Sequence, residues 1–435
     1  MGVQVLSGKL ASEEKFAFEM DSRDEIAYLR ERFHLLQDVI YMDGNSLGLC
    51  PKGSGEAVER ALEEWKGLGI RGWLGGDPPW FEISERTGAM AAPIVGAASD
   101  EVVLTGTTTV NLHSLVSTFY RPSKERHVIL ADELNFPSDL YALESQTSIR
   151  GFDPGKSLRL VSSSDGRTLK EDEIIGAMGP DVCLVLLPSV LYRSGQLLDM
   201  ELLTREAHSR DILIGFDCSH SAGAVPHRFD DWGVDFAFWC SYKYLNAGPG
   251  SPAFLYVNRR HFGTIPALTG WFGYEKSRQF EMNREFIPAG NAGAWQISSP
   301  SIFGSAAAAG ALEVTLEAGI ERIRAKSIAL TSFFVSLVDA YLAEEPYGFS
   351  IGTPRDPERR SGHIALEHPA EALRINEALI ARGVIPDFRP PNVIRIAPVA
   401  LYTTFHDVWR VAVHLKEIMD GQEYARFSKE RKAVS

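Results

Sequence analysis

An acid and an amine, each carried at the end of a short apolar run, are the residues of this 435-residue chain best placed to do chemistry. The run Ile212-Leu213-Ile214-Gly215-Phe216 delivers Asp217, and a second run, Val234 to Cys240, ends at Lys243. Runs of this length and composition predict buried parallel strands, whose carboxyl ends open onto one edge of an α/β sheet. A lysine and a carboxylate at neighbouring strand ends are what a Schiff-base cofactor with a pyridine nitrogen requires. The amine takes the aldehyde, and the carboxylate keeps the ring nitrogen protonated. The pair therefore predicts a pyridoxal-phosphate site. The alternative is a plain ion pair at two strand ends, with Gly248 and Gly250 as turn residues.

Other residues fit around such a cofactor. Gly106-Thr107-Thr108-Thr109 lies between a strand and a helical pattern, so its hydroxyls and the helix N-terminus suit a phosphate dianion; the alternative is a helix cap. Phe136-Pro137-Ser138-Asp139 offers a face to stack on a pyridine ring, a hydroxyl and a second acid, or else a helix start. His220 follows Asp217 by three residues and reads either as a structural donor or as part of the site. Trp271 carries an indole N–H that can reach a phosphate or anchor a core. Arg395 stands inside the apolar strand Val393-Ile394-Arg395-Ile396, where burial demands an anionic partner: a substrate carboxylate, or an internal Asp or Glu.

Along the chain, short apolar runs and helical patterns alternate in a βαβ rhythm. Predicted strands begin near Glu101, His127, Leu158, Val182, Ile212 and Val234, with helical patterns between the first five and Ser251–Val257 as an antiparallel partner. They make a mostly parallel sheet of about seven strands. One long helix is predicted from Gly304 through Ala306-Ala309 and past Leu330. A small α+β unit follows, with strands at His363–Glu367 and Val393–Ile396, a helix at Ala370–Ala381 and a final helix from Thr404 to Met419. The expected division is an N-terminal arm (1–50) returning to the site through Tyr41-Met42-Asp43-Gly44-Asn45-Ser46-Leu47-Gly48, a large cofactor-binding domain (51–304), and the long helix with a smaller C-terminal domain (305–435). A net charge of −13 argues against a nucleic-acid surface. Four cysteines without paired or metal spacing suit buried thiols in a reducing compartment. With no signal or transit pattern and no run long enough to span a bilayer, the expectation is a cytoplasmic protein with no metal and no membrane partner.

Taken together, Tyr41-x-Asp43-Gly44-Asn45-Ser46-Leu47-Gly48, Phe136-Pro137-Ser138-Asp139, Asp217-x-x-His220, Ser241-Tyr242-Lys243-Tyr244-Leu245-Asn246, Gly270-Trp271-Phe272-Gly273 and Leu401-Tyr402-x-x-Phe405 resemble the kynureninase family, in order and over nearly the whole chain. The resemblance implies a fold-type I pyridoxal-phosphate enzyme of the transferase-like α/β class. It further implies a homodimer with shared active sites that hydrolyses L-kynurenine to anthranilate and L-alanine in tryptophan catabolism. In these terms Lys243 is the Schiff-base lysine and Asp217 the pyridine-nitrogen partner. Phe136 is the stacking aromatic within Phe136-Pro137-Ser138-Asp139, with Asp139 near the ring nitrogen. Thr108, Thr109 and Tyr242 surround the phosphate, and His220 lies in the cofactor pocket. Arg395 clamps the substrate carboxylate, and Trp271 and Ser299 reach the phosphate from the neighbouring subunit. Tyr242 also suits a proton relay. Where the family has Ser or Thr, this chain aligns Pro188, next to Ser189. Trp73, Ser298 and Ser299 align with ring-proximal positions, and a bulky indole there predicts a preference for L-kynurenine over its 3-hydroxy form. Two rivals are a cysteine desulfurase, which needs a late nucleophilic cysteine that the chain lacks after Cys240, and a non-catalytic cofactor-binding homologue.

Overall fold

The computed structural model describes residues 13–430. Alternation along the strands explains why the large sheet is buried on both faces. Val102, Leu104, Leu130, Val185, Leu187, Ile214, Phe216 and Trp239 join one apolar core, while Val103, Ile129, Ala131, Leu184, Leu186, Phe236 and Phe238 join another. The sheet has seven strands, five of which carry these residues: β1 (Val102–Thr105), β2 (Val128–Asp132), β3 (Leu158–Val161), β4 (Val182–Pro188), β5 (Leu213–Asp217), β6 (Phe236–Trp239) and β7 (Ala253–Val257), with β3 and β7 the exceptions. Their order is β1-β7-β6-β5-β4-β2-β3. Only β7 runs antiparallel to its neighbours, β1 and β6. The α/β fold with a mostly parallel sheet is thus as expected.

Helix α1 (Lys52–Leu68) precedes the sheet, and α2 (Thr108–Phe119) and α3 (Pro137–Ile149) follow β1 and β2. Helix α2 packs Leu112, Leu115 and Val116 into the second core, and α4 (Met200–His208) packs Leu203 and Ala207 into the first. The single long helix expected after Gly304 is instead two, α5 (Ile302–Ala318) and α6 (Ile320–Tyr341). Gly319 divides them, since its φ of 76° and ψ of 131° lie outside the helical region, a conformation glycine adopts without a Cβ penalty.

Beyond α6 a four-stranded antiparallel sheet forms from β8 (Ser350–Ile351), β9 (Ile364–Glu367), β10 (Asp387–Arg389) and β11 (Val393–Ile396), in the order β10-β11-β9-β8. Helices α7 (Ala372–Ala381) and α8 (Phe405–Asp420) cover it. Helix α8 opens with a capping box: Thr404 accepts from the Asp407 amide while the Asp407 side chain accepts from the Thr404 amide. Ala17, Ile40 and Met42 lie in the same core as Ile364, Ile394 and Val408, so the N-terminal segment is built into this unit. Ile40–Tyr41 pairs in parallel with Val384–Ile385.

Candidate active site

Asp217 is the last residue of β5. Lys243 is not at a strand end: β6 stops at Trp239, and the lysine sits in the tight turn that follows. Hydrogen bonds close this turn. Ala247 N donates to Ser241 O, Ser241 Oγ donates to Pro252 O at 2.5 Å, and Asn246 takes a left-handed conformation with φ 58°. Lys243 Nζ lies 2.9 Å from His220 Nε2. The pocket around them is lined by Thr108, Thr109, Phe136, Ser138, Asp139, Asp217, His220, Tyr242 and Lys243, nine of the residues singled out from sequence.

One wall is made by two converging helix N-termini. Helix α2 begins at Thr108 and α3 at Pro137, and Thr109 Oγ1 lies 2.8 Å from Ser138 Oγ. Neither N-cap residue, Thr107 or Phe136, makes a side-chain cap hydrogen bond, so the capping alternative for the threonines is not what the structure shows. First-turn amides and hydroxyls from two helices then favour a dianion here. Pro137 is exposed, absent from the pocket lining, and occupies the first position of α3, the helix-start role its ring suits.

The pocket floor is acidic. Burial and the adjacent Asp217 carboxylate push the Asp139 carboxyl well above its usual range, with Lys243 opposing the shift. An acid whose proton is held more tightly, beside Asp217, suits the nitrogen of a bound heteroaromatic ring. Asp139 Oδ2, Asn135 Nδ2 and His220 Nδ1 are buried without a hydrogen-bond partner, as expected for a cavity shaped around a polar guest. Burial and the neighbouring Lys243 and Arg395 cations hold His220 well below its ordinary value, so the imidazole is neutral. Burial pushes the Tyr242 phenol up, which keeps it a donor. These residues fit pyridoxal phosphate: an amine for the aldehyde, acids for the ring nitrogen, the half-exposed face of Phe136 for the ring, and helix ends for the phosphate.

Besides Pro137, three expected residues lie elsewhere. Trp271 and Ser299 line a separate apolar hollow of about 800 Å³ together with Trp73, Ile70, Leu74 and Phe280. Arg395 is buried behind Tyr192, whose carbonyl accepts from Arg395 Nη1 at 2.8 Å. The anion it required is present inside the chain: Arg395 Nε donates to Asp387 Oδ2 at 2.6 Å, the internal-carboxylate alternative. Ser189 does not replace the hydroxyl missing at Pro188. Its Oγ turns away to Asp217 O and to Ser221 Oγ, at 3.0 and 2.7 Å, while Pro188 faces the pocket. Sequence reasoning passed over Asn135, Val190, Tyr192 and Ser219 in the lining. Asn135 directly precedes Phe136-Pro137, and its Oδ1 accepts from Phe136 N at 2.7 Å, so a polar residue heading that motif was the available signal.

The turn carrying Ser46 and Gly48 reaches the lysine turn and Arg395. Gly48 N donates to Tyr242 O at 2.8 Å, and Ser46 Oγ accepts from Arg395 Nη2 at 2.9 Å.

The sheet order, the lysine turn and the paired acids define a pyridoxal-phosphate enzyme of fold type I. The fold is shared with a cysteine desulfurase from Thermococcus onnurineus NA1 (TM-score 0.77, 18% identity, covering 91% of this chain and 98% of that one). It is also shared with a C-DES variant that has glycine covalently linked to its PLP cofactor (TM-score 0.76, 16% identity, 89% and 99%). Sequence comparison is more specific. Residues 323–415 match the kynureninase C-terminal domain. Kynureninases from Geobacillus thermodenitrificans and Bacillus anthracis are 55% and 51% identical to the chain, each covering 97% of it and 98% of the relative. The chain belongs to the kynureninase family.

Proposed function

We propose that this chain hydrolyses L-kynurenine to anthranilate and L-alanine, and 3-hydroxy-L-kynurenine less readily, in tryptophan catabolism. The reading is carried by the convergence of Lys243, Asp217 and Asp139 in one pocket that two helix N-termini enter. Net reaction adds one water across the Cβ–Cγ bond, hydroxyl to the carbonyl carbon and hydrogen to Cβ. When bound, pyridoxal phosphate supplies an aldehyde for amines and a protonated ring that accepts electrons from bonds broken beside it.

The chain's own groups do the rest. Lys243 anchors the cofactor at rest, and its freed amine moves the substrate α-proton. Neutral His220 accepts a hydrogen bond from Nζ without adding a competing positive charge. Asp217, with Asp139 beside it raised by burial and by the Asp217 charge, would hold the proton of the ring nitrogen. Thr108, Thr109 and Ser138 bind the phosphate, and Phe136 covers the ring. Tyr242 donates from its phenol near Lys243, as a proton relay or as a phosphate hydrogen bond. Arg395 holds the substrate α-carboxylate. The direct test is anthranilate fluorescence from purified holoenzyme given L-kynurenine; output no greater than that of Lys243→Ala protein would refute the reading. The desulfurase rival has no cysteine after Cys240 to act with, and the same assay separates the non-catalytic one.

A second copy is needed to complete the site. Ile70, Leu74, Trp271 and Phe280 are 81%, 79%, 43% and 75% exposed around the hollow, an apolar area that a homodimer would cover while bringing Trp271 and Ser299 to the partner's pocket. A monomeric mass in light scattering would refute this. Unpaired cysteines fit a cytoplasmic setting, and no helix among the described residues is long and apolar enough to cross a membrane. The arm (1–50), the cofactor domain (51–304) and the C-terminal unit (305–435) remain the working division.

A further inference from the structure

Asp387 and Arg395 stand directly opposite each other across the antiparallel pair β10 and β11. Alternation along β10 puts Arg389 on the same face as Asp387. One oxygen, Asp387 Oδ2, accepts from Arg395 Nε at 2.6 Å, pairs with Arg395 Nη2, and lies 3.0 Å from Arg389 Nε. The Asp387 and Arg395 side chains are only 6% and 1% exposed. A guanidinium presents two forks, one from Nε with Nη2 and one from Nη1 with Nη2. Asp387 occupies the first. The second meets single acceptors, Tyr192 O on Nη1 and Ser46 Oγ on Nη2. Tyr192 lines the Lys243 pocket, and the turn carrying Ser46 is tied to Tyr242 through Gly48.

We propose that Asp387 is a positioning residue for the substrate α-carboxylate: it locks the Nε side of Arg395, so that a carboxylate exchanging with the Tyr192 O and Ser46 Oγ contacts meets an Nη1/Nη2 fork held in place for two-pronged binding. The proposal rests on Arg395 being the carboxylate clamp. Arginine has several rotatable bonds, and its advantage over lysine lies in a fork held in one plane; a buried anion on one side supplies that hold. Asp387 is shared by two guanidinium groups, and Asp43 is a second carboxylate near both.

L-Alanine, the product that keeps the carboxylate, is the probe. Its competitive inhibition of L-kynurenine turnover is measured on holoenzyme beside KM, kcat and cofactor content, with 2-aminoacetophenone as an inhibitor lacking the α-carboxylate. Asp387→Asn is expected to raise KM and the L-alanine inhibition constant by on the order of tenfold. Turnover at saturation, cofactor content and 2-aminoacetophenone inhibition should stay near wild type, which a merely structural role would not achieve. Because losing one member of a buried pair can prevent folding, Asp387→Glu is the second variant, keeping the anion but displacing it by one methylene; a rise of about fivefold is expected there. If the folded variant leaves L-alanine inhibition within about twofold of wild type while Arg395→Lys weakens it, the positioning role is overturned. If Arg395→Lys also changes nothing, the clamp assignment itself falls.

Discussion

Adding one methyl group at Gly48 should damage catalysis through the lysine turn. Gly48 lies where the N-terminal arm crosses the chain beside Lys243, and a Cβ there would stand 2.5 Å from Lys243 O, closer than real Cβ contacts come. Its backbone is not in the left-handed region, so the cost of Gly48→Ala is one of space rather than of φ. Overpacking of this kind costs about 1–3 kcal/mol, and disturbing the Gly48 N to Tyr242 O hydrogen bond about 1 kcal/mol more. If the arm and the turn yield together, about 2–4 kcal/mol appears at the transition state, a fall in kcat/KM of about 30- to 900-fold. Gly55→Ala is the control. Gly55 lies within α1 and nothing lies within 4 Å of its added Cβ, so activity should be unchanged. That helix should gain up to about 1 kcal/mol. The assay is anthranilate production with cofactor affinity measured in parallel. A Gly48→Ala enzyme within about threefold of wild type in both would show that the arm does not position Lys243.

Lys243→Ala should abolish the covalent adduct that borohydride traps between protein and cofactor; a surviving protein adduct would move the anchor to another lysine. Asp217→Asn should retain cofactor and lose most turnover, and near-normal turnover would remove its role at the ring nitrogen. Burial and the nearby Asp387 charge raise Asp43 to about 6, against its usual 3.8. Between those values the folded chain keeps a proton that the unfolded chain releases, so this residue's contribution to stability is full below about pH 4 and is lost as pH rises through about 6. The loss is at most about 3 kcal/mol, less where solvent screens the group. Asp43→Asn should therefore gain on wild type in urea midpoint between pH 4.5 and 7.5, and a pH-independent difference would refute it. Trp73→His should raise the relative use of 3-hydroxy-L-kynurenine in direct competition; a wild-type preference for the hydroxylated substrate, unchanged by the substitution, would remove Trp73 as the determinant.

Legibility from sequence followed the range over which each signal acts. Asp217 was readable because a strand buried on both faces is apolar throughout, so its terminal acid stands out. Thr108 and Ser138 were readable as helix starts, but the meeting of their two helices is a product of the sheet order and appears only in three dimensions. Lys243 was found although its strand ends earlier, since Cys240 extends the apolar run past the last ladder bond. Asp387 went unnoticed. Asp387-Phe388-Arg389 has one apolar residue in three and becomes a strand only by pairing with β11, so nothing local marks it as the anion that Arg395 required. Gly319 was passed over for a similar reason: a single glycine in a helical pattern can be tolerated or can end the helix, and its positive φ is visible only in the fold.

The strand order sets a constraint on synthesis. Strand β1 lies at the sheet edge and is hydrogen-bonded only to β7, which is made long after it and after Lys243. Until the ribosome has released residue 257, the segment leading into Thr108 and Thr109 has no neighbour in the sheet, and the phosphate end of the pocket has no fixed position relative to the lysine. The arm waits longer still, because Ile40–Tyr41 pairs with Val384–Ile385. The pocket lining, from Thr108 to Lys243, thus gains its full sheet only when Ala253–Val257 pairs with β1, and the arm closes on it only with the C-terminal unit.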